Sequence, residues 1–227
     1  FLFYFLTIDD YLRGKVPRTK SIVAAINELT SHCQNVGLMT TAFATELGMP
    51  QDEANHLGVC AVFHDVGKLL VPVEILLKPG KLTAQEYSII KDHPLTGARI
   101  LLNIFDDAMV SRIALQHHER YNHHGYPLQL YAAPVDTQIV AACDCLEALT
   151  AHRAYKDAMD FATAYNMVSR EACGTFHPEV MAGLCKDAVY CRLEAIYERL
   201  ERPSRAWLNA LDTRTNEFIK KYMNEEE

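Results

Sequence analysis

The chain has 227 residues, 49% of them hydrophobic and 22% charged, with a net charge of −7. That length can bury one sizeable core, so a single domain is the default reading. The acidic balance excludes a general nucleic-acid surface, because polyanion binding needs many lysines and arginines to release counterions, and any phosphate ligand has to meet a local basic cluster.

The opening FLFYFL is a short apolar run before Thr7, Asp9 and Asp10, far short of the ~20 residues that cross a bilayer, and no spanning segment follows it. With no initiator Met and no basic leader, the sequence reads as a piece of a longer chain. Residues 1–20 are then a lead-in from an upstream domain, with FLFYFL a buried edge or joining segment, and residues 21–227 form one domain. Helical periodicity runs through nearly all of it while strand-like alternation is scarce, which makes the fold class all-α.

The first predicted helix runs from about Ser21 to Leu47 and stops near Gly48 and Pro50. A second covers about Gln51 to Asp65, with Leu57 and Ala61 on its inner face. VPVEILLKPGKLT reads as a loop turning at Pro79-Gly80. Thr83 and Glu86 form a capping box that opens the next helix, and Pro94 suits the first turn of another. Further helices are expected over 107–119, 135–150, 161–173 and 178–200, with Gly174 as a stop signal for the third of these. The tail from Ser204 to Tyr222 keeps helical spacing, and the closing NEEE reads as frayed.

Cysteines at 33, 60, 143, 145, 173, 185 and 191 are odd in number, lack C-x-x-C spacing and mostly sit in apolar runs such as GVCAVF. They read as buried thiols in a reducing cytosol, neither a disulfide frame nor a zinc ribbon. Histidine is over-represented, with ten in the chain.

Several polar residues interrupt apolar helices. In AVFHDVGKLL, His64 and Asp65 close the second helix; adjacent residues lie about 100° apart around a helix, so both can reach one metal pair with the carboxylate bridging. A plain polar helix end, with Gly67 as terminator and Lys68 at the dipole, accounts for them equally well. Glu28 and His32 share a helical face at i, i+4, which suits a helix-borne metal site or a solvated pair. His93 ends a helix beside Pro94, where a lone histidine usually caps. His117 and His118 follow the apolar run MVSRIAL. Asp144 lies inside IVAACDCLEAL, where a carboxylate needs a cation or hydrogen bonds to be tolerated. Taken together, intrusions that are all imidazole or carboxylate are better explained by one polynuclear metal centre. Mixed His and Asp/Glu ligation favours Mn, Fe or another borderline ion over a cysteine-ligated structural zinc.

In motif order and spacing, from Glu28 to Pro178, the chain resembles the HD-GYP family of cyclic-dinucleotide phosphodiesterases, a branch of the HD-domain metallohydrolases. HDVGK, LLKPGKLTAQE, the DHP of His93, HHER, GYP, DCLEALTAHRAYK and GTFHP carry the resemblance. It implies an HD-domain helical bundle with additional HD-GYP helices at the C-terminal end, so that 21–227 is the catalytic domain. It implies metal ligation by His32, His64, Asp65, His93, His117, His118 and Asp144, with Asp65 bridging. Glu28 matches the extra carboxylate of three-metal members. The cofactors implied are two or three divalent ions, Fe or Mn first, with Mg, Ni or Zn as alternatives. Lys68 is expected to contact a substrate phosphate or assist proton transfer, making His64, Asp65 and Lys68 the catalytic set. Tyr126, Arg153 and Lys156 match positions holding guanine and phosphates, the local basic cluster that the acidic charge demands.

The chain departs from the family at Asn122-His123-His124, where Asp-Gly-x usually precedes Gly-Tyr-Pro. A glycine there serves a positive φ or a close approach, which histidine meets less well. His123 and His124 thus read as a bare surface loop or as base and phosphate contacts. Glu147 and His177 stand where Asp is common and read as structural.

The expected activity is metal-assisted hydrolysis of cyclic di-GMP to pGpG or GMP in bacterial second-messenger signalling, in the cytoplasm. Coordination supplies an acidified water, so no Ser or Cys nucleophile is needed. Alternatives are a hydrolase of the mixed cyclic GMP-AMP dinucleotide (cGAMP), a non-catalytic metal-bound sensor of the same ligands, and a nucleotide phosphohydrolase of the wider superfamily. Expected partners are the cyclic dinucleotide, with no polymeric nucleic acid and no membrane span, and an upstream sensory domain or a second copy of the chain.

Overall fold

The computed structural model describes residues 22–76, 78, 80–130, 133–151, 158–171 and 175–200. Among them every regular element is helical and there is no strand, as the periodicity requires. No described helix is long and apolar enough to cross a membrane. The lead-in, the Gly174 stop, Arg153, Lys156, Cys173 and the tail lie outside the described residues.

Helix α1 (Ile22–Glu46) ends in a Schellman turn. Gly48 adopts φ +93°, and the amides of Gly48 and Met49 donate to the carbonyls of Thr45 and Ala44 at 2.9 and 3.0 Å, satisfying carbonyls that a helix end orphans. Helix α2 (Gln51–Val62) packs against α1 through two glycines. A Cβ on Gly58 would lie 2.9 Å from the Gly37 carbonyl oxygen, and one on Gly37 would lie 2.9 Å from that of Gly58, so the helices touch backbone to backbone.

The second helix is shorter than predicted. It stops at Val62, and His64 and Asp65 occupy the turn that follows, before a 3-10 turn over Val66–Leu70. The cause is a switch to i→i−3 bonding: the amides of Phe63 and His64 donate to Cys60 and Ala61 at 3.1 Å, which tightens the helix end. The predicted loop after it contains one helical turn, α3 (Val73–Leu76), and Gly80 turns at φ +100°. Helix α4 (Ala84–Lys91) opens with the full Thr83/Glu86 capping box.

His93 begins helix α5 (His93–Leu102), with Pro94 in its first turn; it does not end a helix, as the sequence suggested. Helix α6 (Ala108–Gln116) is capped by Asp107, whose side chain accepts from the Met109 amide, and His117 closes it. Helix α7 (Val135–Thr150) matches its predicted bounds. Eleven of its sixteen residues are buried, Asp144 and Glu147 among them, so it is the central strut and carries polar groups into the interior.

Two predicted helices are broken. The 161–173 segment forms α8 (Phe161–Asn166), followed by a wider π turn over Met167–Glu171. The 178–200 segment divides into α9 (Pro178–Leu184) and α10 (Asp187–Arg199). Tyr165 Oη donates to the Leu184 carbonyl at 2.9 Å, occupying an acceptor that a continuous helix would use. The core joins Val36, Met39 and Phe43 of α1, Leu57 of α2, Ile113 of α6, Ile139 and Leu146 of α7, and Leu193 of α10.

Candidate metal centre

Five separate elements deliver the predicted ligands to one place. His32 comes from mid-α1, His64 and Asp65 from the turn after α2, His93 from the start of α5, His117 and His118 from the end of α6, and Asp144 from α7. His64, Asp65 and His117 are fully buried and His32, His93 and Asp144 nearly so; His118 is half-buried. Glycine 67 makes one of these approaches. A Cβ there would lie 2.0 Å from the His93 carbonyl oxygen and 2.6 Å from the Gly97 amide, so only glycine lets the Asp65 turn press on the start of α5.

The side chains form two groups of potential ligand atoms that share a neighbourhood around Asp65. One is Asp65, His93, His117 and His118; the other is His32, His64 and Asp144, with all ligand atoms in each group within 4.8 Å of one another. Asp65 Oδ1 lies 3.1 Å from His93 Nε2 and 3.6 Å from His117 Nε2, while Oδ2 lies 3.4 Å from His64 Nε2 and 3.6 Å from His32 Nε2. One carboxylate therefore offers an oxygen to each group, as a bridging ligand must. His32 Nε2 approaches Asp144 Oδ1 at 3.2 Å.

The hydrogen bonds behind the rings fix which nitrogen faces inward. Nδ1 of His64, His93 and His117 meets the carbonyls of Ala61, Ile90 and Ala114 at 2.7, 2.7 and 2.9 Å. A carbonyl only accepts, so each Nδ1 carries the proton and each Nε2 turns a lone pair to the centre. For His32 the outer partner is Glu147, whose Oε2 lies 2.5 Å from Nδ1 and whose Oε1 accepts from Asn35 Nδ2 at 3.0 Å. This is the carboxylate–histidine arrangement that orients metal-bound imidazoles. Glu147, read from the sequence only as structural, is thus a positioning residue for a ligand.

These inward atoms face chiefly one another. Nε2 of His32 and His64 and Oδ1 of Asp65 are buried without a hydrogen-bond partner among the described residues, a costly state for polar atoms. The Nε2 atoms of His93 and His117 face each other at 3.2 Å, and two lone pairs repel. That separation suits two nitrogens about 2.1 Å from one ion. The residues present therefore fit divalent metal ions.

The electrostatics agree. Burial lowers the His117 pKa to about 4, and burial beside His117 takes His118 well below its ordinary value, so both stay neutral and able to ligate. Burial opposes ionisation of Asp65, but Lys68, His64 and His117 hold its carboxyl well below the usual range. Asp144 is likewise held low against its burial, chiefly by His32. Burial would lower His32, yet Asp144 and Glu147 outweigh it and raise the pKa to about 9. Without metal, His32 is a proton-bearing counterion to its carboxylates.

Of the remaining predicted residues, Lys68 donates through Nζ to Asp65 Oδ2. Tyr126 stacks on His118, with ring centroids 4.5 Å apart and 25° between planes. Glu28 is half-buried one turn before His32 but joins neither ligand group within 4.8 Å. Cys33, buried next to His32, falls in a further group with His64 and Asp65, which its reading as a plain buried thiol did not reveal.

The histidine-rich loop divides as the sequence suggested. His123 and His124 are exposed and join neither group. His123 adopts φ +64°, the left-handed conformation that glycine would favour, and its Nδ1 lies 3.1 Å from the Leu130 carbonyl. Gly125 meets the close-approach requirement: a Cβ would lie 2.4 Å from the Arg120 amide and 2.6 Å from both Glu119 Cα and the His118 carbonyl. Glu119, fully buried, accepts from the amides of Leu128 and Leu130 at 2.6 and 2.9 Å. It ties the Gly-Tyr-Pro loop to the end of α6.

A helical bundle closed around a buried histidine–carboxylate centre defines a class of metal-binding helical proteins. The HD domain family matches residues 19–180, and the chain belongs to it, within the HD-GYP branch that its motifs resemble; HD domains are metal-dependent. The chain is 34% identical over 163 residues to a cyclic di-GMP phosphodiesterase of Thermotoga maritima, covering 70% of this chain and 44% of the relative. It is 35% identical over 164 residues to 3'3'-cGAMP-specific phosphodiesterase 1 of Vibrio cholerae, covering 70% and 38%. The chain thus spans less than half the length of these relatives. Among solved structures, the HD domain of the L. monocytogenes phosphodiesterase PgpH superposes with a TM-score of 0.55 at 22% identity, covering 75% of this chain and 94% of that one, which shows the fold. Helix α10 lies beyond the family match and packs on α1.

Proposed function

We propose that the chain is the catalytic part of a metal-dependent phosphodiesterase that hydrolyses cyclic di-GMP to pGpG, and onward to GMP, in bacterial second-messenger signalling. The observation that carries this reading is the convergence of inward-facing Nε2 atoms on both oxygens of Asp65. Two relatives named as cyclic-dinucleotide phosphodiesterases support it.

His32, His64 and Asp144 would hold one ion and His93, His117 and His118 another, with Asp65 between them. Glu28 would extend the set to a third. Fe or Mn suits the nitrogen–oxygen ligation best, with Mg, Ni or Zn able to substitute. Ions bound there would supply positive charge for the phosphoryl transition state and a water made acidic enough to ionise near neutral pH. The carbonyls behind His64, His93 and His117, and Glu147 behind His32, hold the rings with Nε2 aimed inward. Lys68 lies at the edge of the centre, where its ammonium can pass from Asp65 to a substrate phosphate and stabilise charge there. Tyr126, stacked on His118, offers a ring face to a guanine. Arg153 and Lys156 would hold phosphates. The chain would act in the cytoplasm, governed by an upstream sensory domain or by pairing with a second copy.

The mixed GMP-AMP dinucleotide is the second reading, favoured by the V. cholerae relative and by the His123-His124 departure beside Tyr126. Metal-loaded protein should be incubated with each dinucleotide and the products separated chromatographically. Linear dinucleotide from cyclic di-GMP, lost in His64→Ala, is expected. Preferential cleavage of cGAMP would select the second reading. Binding of either ligand without cleavage, or hydrolysis of mononucleotides alone, would overturn the proposal in favour of a sensor or a nucleotide phosphohydrolase.

A further inference from the structure

A second constellation of metal-binding side chains lies outside the centre. His56 and Cys60 are spaced i, i+4 on α2, which sets them on one helix face, and Asp107 reaches them from the cap of α6. His56 Nε2 lies 3.0 Å from Asp107 Oδ2; Cys60 Sγ lies 3.7 Å from His56 Nε2 and 4.0 Å from the same Asp107 oxygen. A tetrahedral ion about 2.1 Å from nitrogen and oxygen and about 2.3 Å from sulfur would set these edges at roughly 3.4, 3.6 and 3.6 Å. The observed triangle is within about half an ångström of that in every edge.

The other capacities of these residues leave the triangle available. Asp107 uses Oδ1 to cap α6, accepting from the Met109 amide at 2.8 Å, which leaves Oδ2 for a ligand. Half of the His56 side chain is exposed, so an ion has a path in and water can fill a fourth position. Cys60 is buried beneath it and contributes the thiolate that hard ions disfavour. We propose that His56, Cys60 and Asp107 form an auxiliary site for a borderline or soft divalent ion of the zinc class, clamping α2 to the start of α6. These helices deliver His64, Asp65, His117 and His118, so an ion here braces the pairs that the main centre needs at a fixed spacing. This inference does not depend on what the main centre hydrolyses.

The thiolate distinguishes the two sites, since the main ligand set has nitrogen and oxygen donors, and among the described residues Cys33 is the thiol grouped with it. The full chain should be produced in zinc-depleted medium supplemented with cobalt(II), and its near-ultraviolet absorption recorded for a thiolate-to-cobalt charge-transfer band. The band is expected in the parent chain and in Cys33→Ser, and should vanish in Cys60→Ser. His56→Ala alters an exposed side chain, leaves the core intact and should also abolish the band, with one fewer cobalt per chain. Absence of the band from the parent chain, or its persistence in His56→Ala and Cys60→Ser, would overturn the proposal.

Discussion

At the scale of single residues, two positions outside the predicted ligand set bear on how the centre and its loop are held. Glu147 orients His32 through a hydrogen bond and is itself held by Asn35. Such outer partners are worth about 10–100-fold in metal affinity, so Glu147→Ala should lower affinity by that factor in chelator competition while far-ultraviolet circular dichroism stays helical. Gly125 acts by lacking a side chain. The atoms a Cβ would strike are all backbone and cannot rotate away, so Gly125→Ala must displace Tyr126 from His118. The expected result is at least a tenfold loss of dinucleotide turnover, with the His118 position disturbed because its carbonyl is among the atoms struck; full activity in this variant would separate the loop from catalysis.

At the scale of elements, the centre depends on close backbone contacts that fix how helices cross. The 3-10 turn after α2 meets α5 at Gly67, and an added methyl would penetrate the His93 carbonyl. Overpacking costs about 1–3 kcal/mol where neighbours can adjust, and here they are backbone. Gly67→Ala should therefore lower the melting temperature and also reduce metal content, since parting α5 from the turn pulls His93 from Asp65. A variant melting like the parent and binding the same number of ions would show that the contact is slack. Breaks between elements were also the least legible in sequence. The 178–200 segment keeps helical spacing throughout, yet the chain breaks between Leu184 and Asp187, where Tyr165 donates to the Leu184 carbonyl.

At the scale of the whole molecule, the buried charges predict opposite stability trends on either side of neutrality in the metal-free chain. His117, at about pH 4 when folded, and His118, also lowered, stay neutral while the unfolded chain takes up protons. Stability therefore falls as pH drops from about 6.5 towards 4. Asp65 and Asp144, depressed when folded, add to that fall below the ordinary carboxylate range. His32, raised to about 9, contributes fully below its unfolded value of about 6.5, and that contribution is lost as pH rises through 9. Chelator-treated protein should thus melt highest near pH 6.5, and a melting temperature still climbing at pH 9 would contradict the assignment of His32. Restoring divalent ions should raise the melting temperature in proportion to the logarithm of their concentration, because they bind only the folded state.

The all-helical class, the positions of most helices, the Thr83 capping box, and the identity and order of the imidazoles and carboxylates are legible in the chain alone. Those signals are local: helical hydrogen bonds and apolar periodicity span three or four residues, and buried polar residues stand out against apolar neighbours. Three-dimensional packing sets the distance from each Asp65 oxygen to its histidines, brings Glu147 to His32 from 115 positions away, and joins His56 and Cys60 to Asp107. Each of these depends on the angle and depth at which helices pack, which is set by contacts between distant segments and leaves no trace in any one window of the chain.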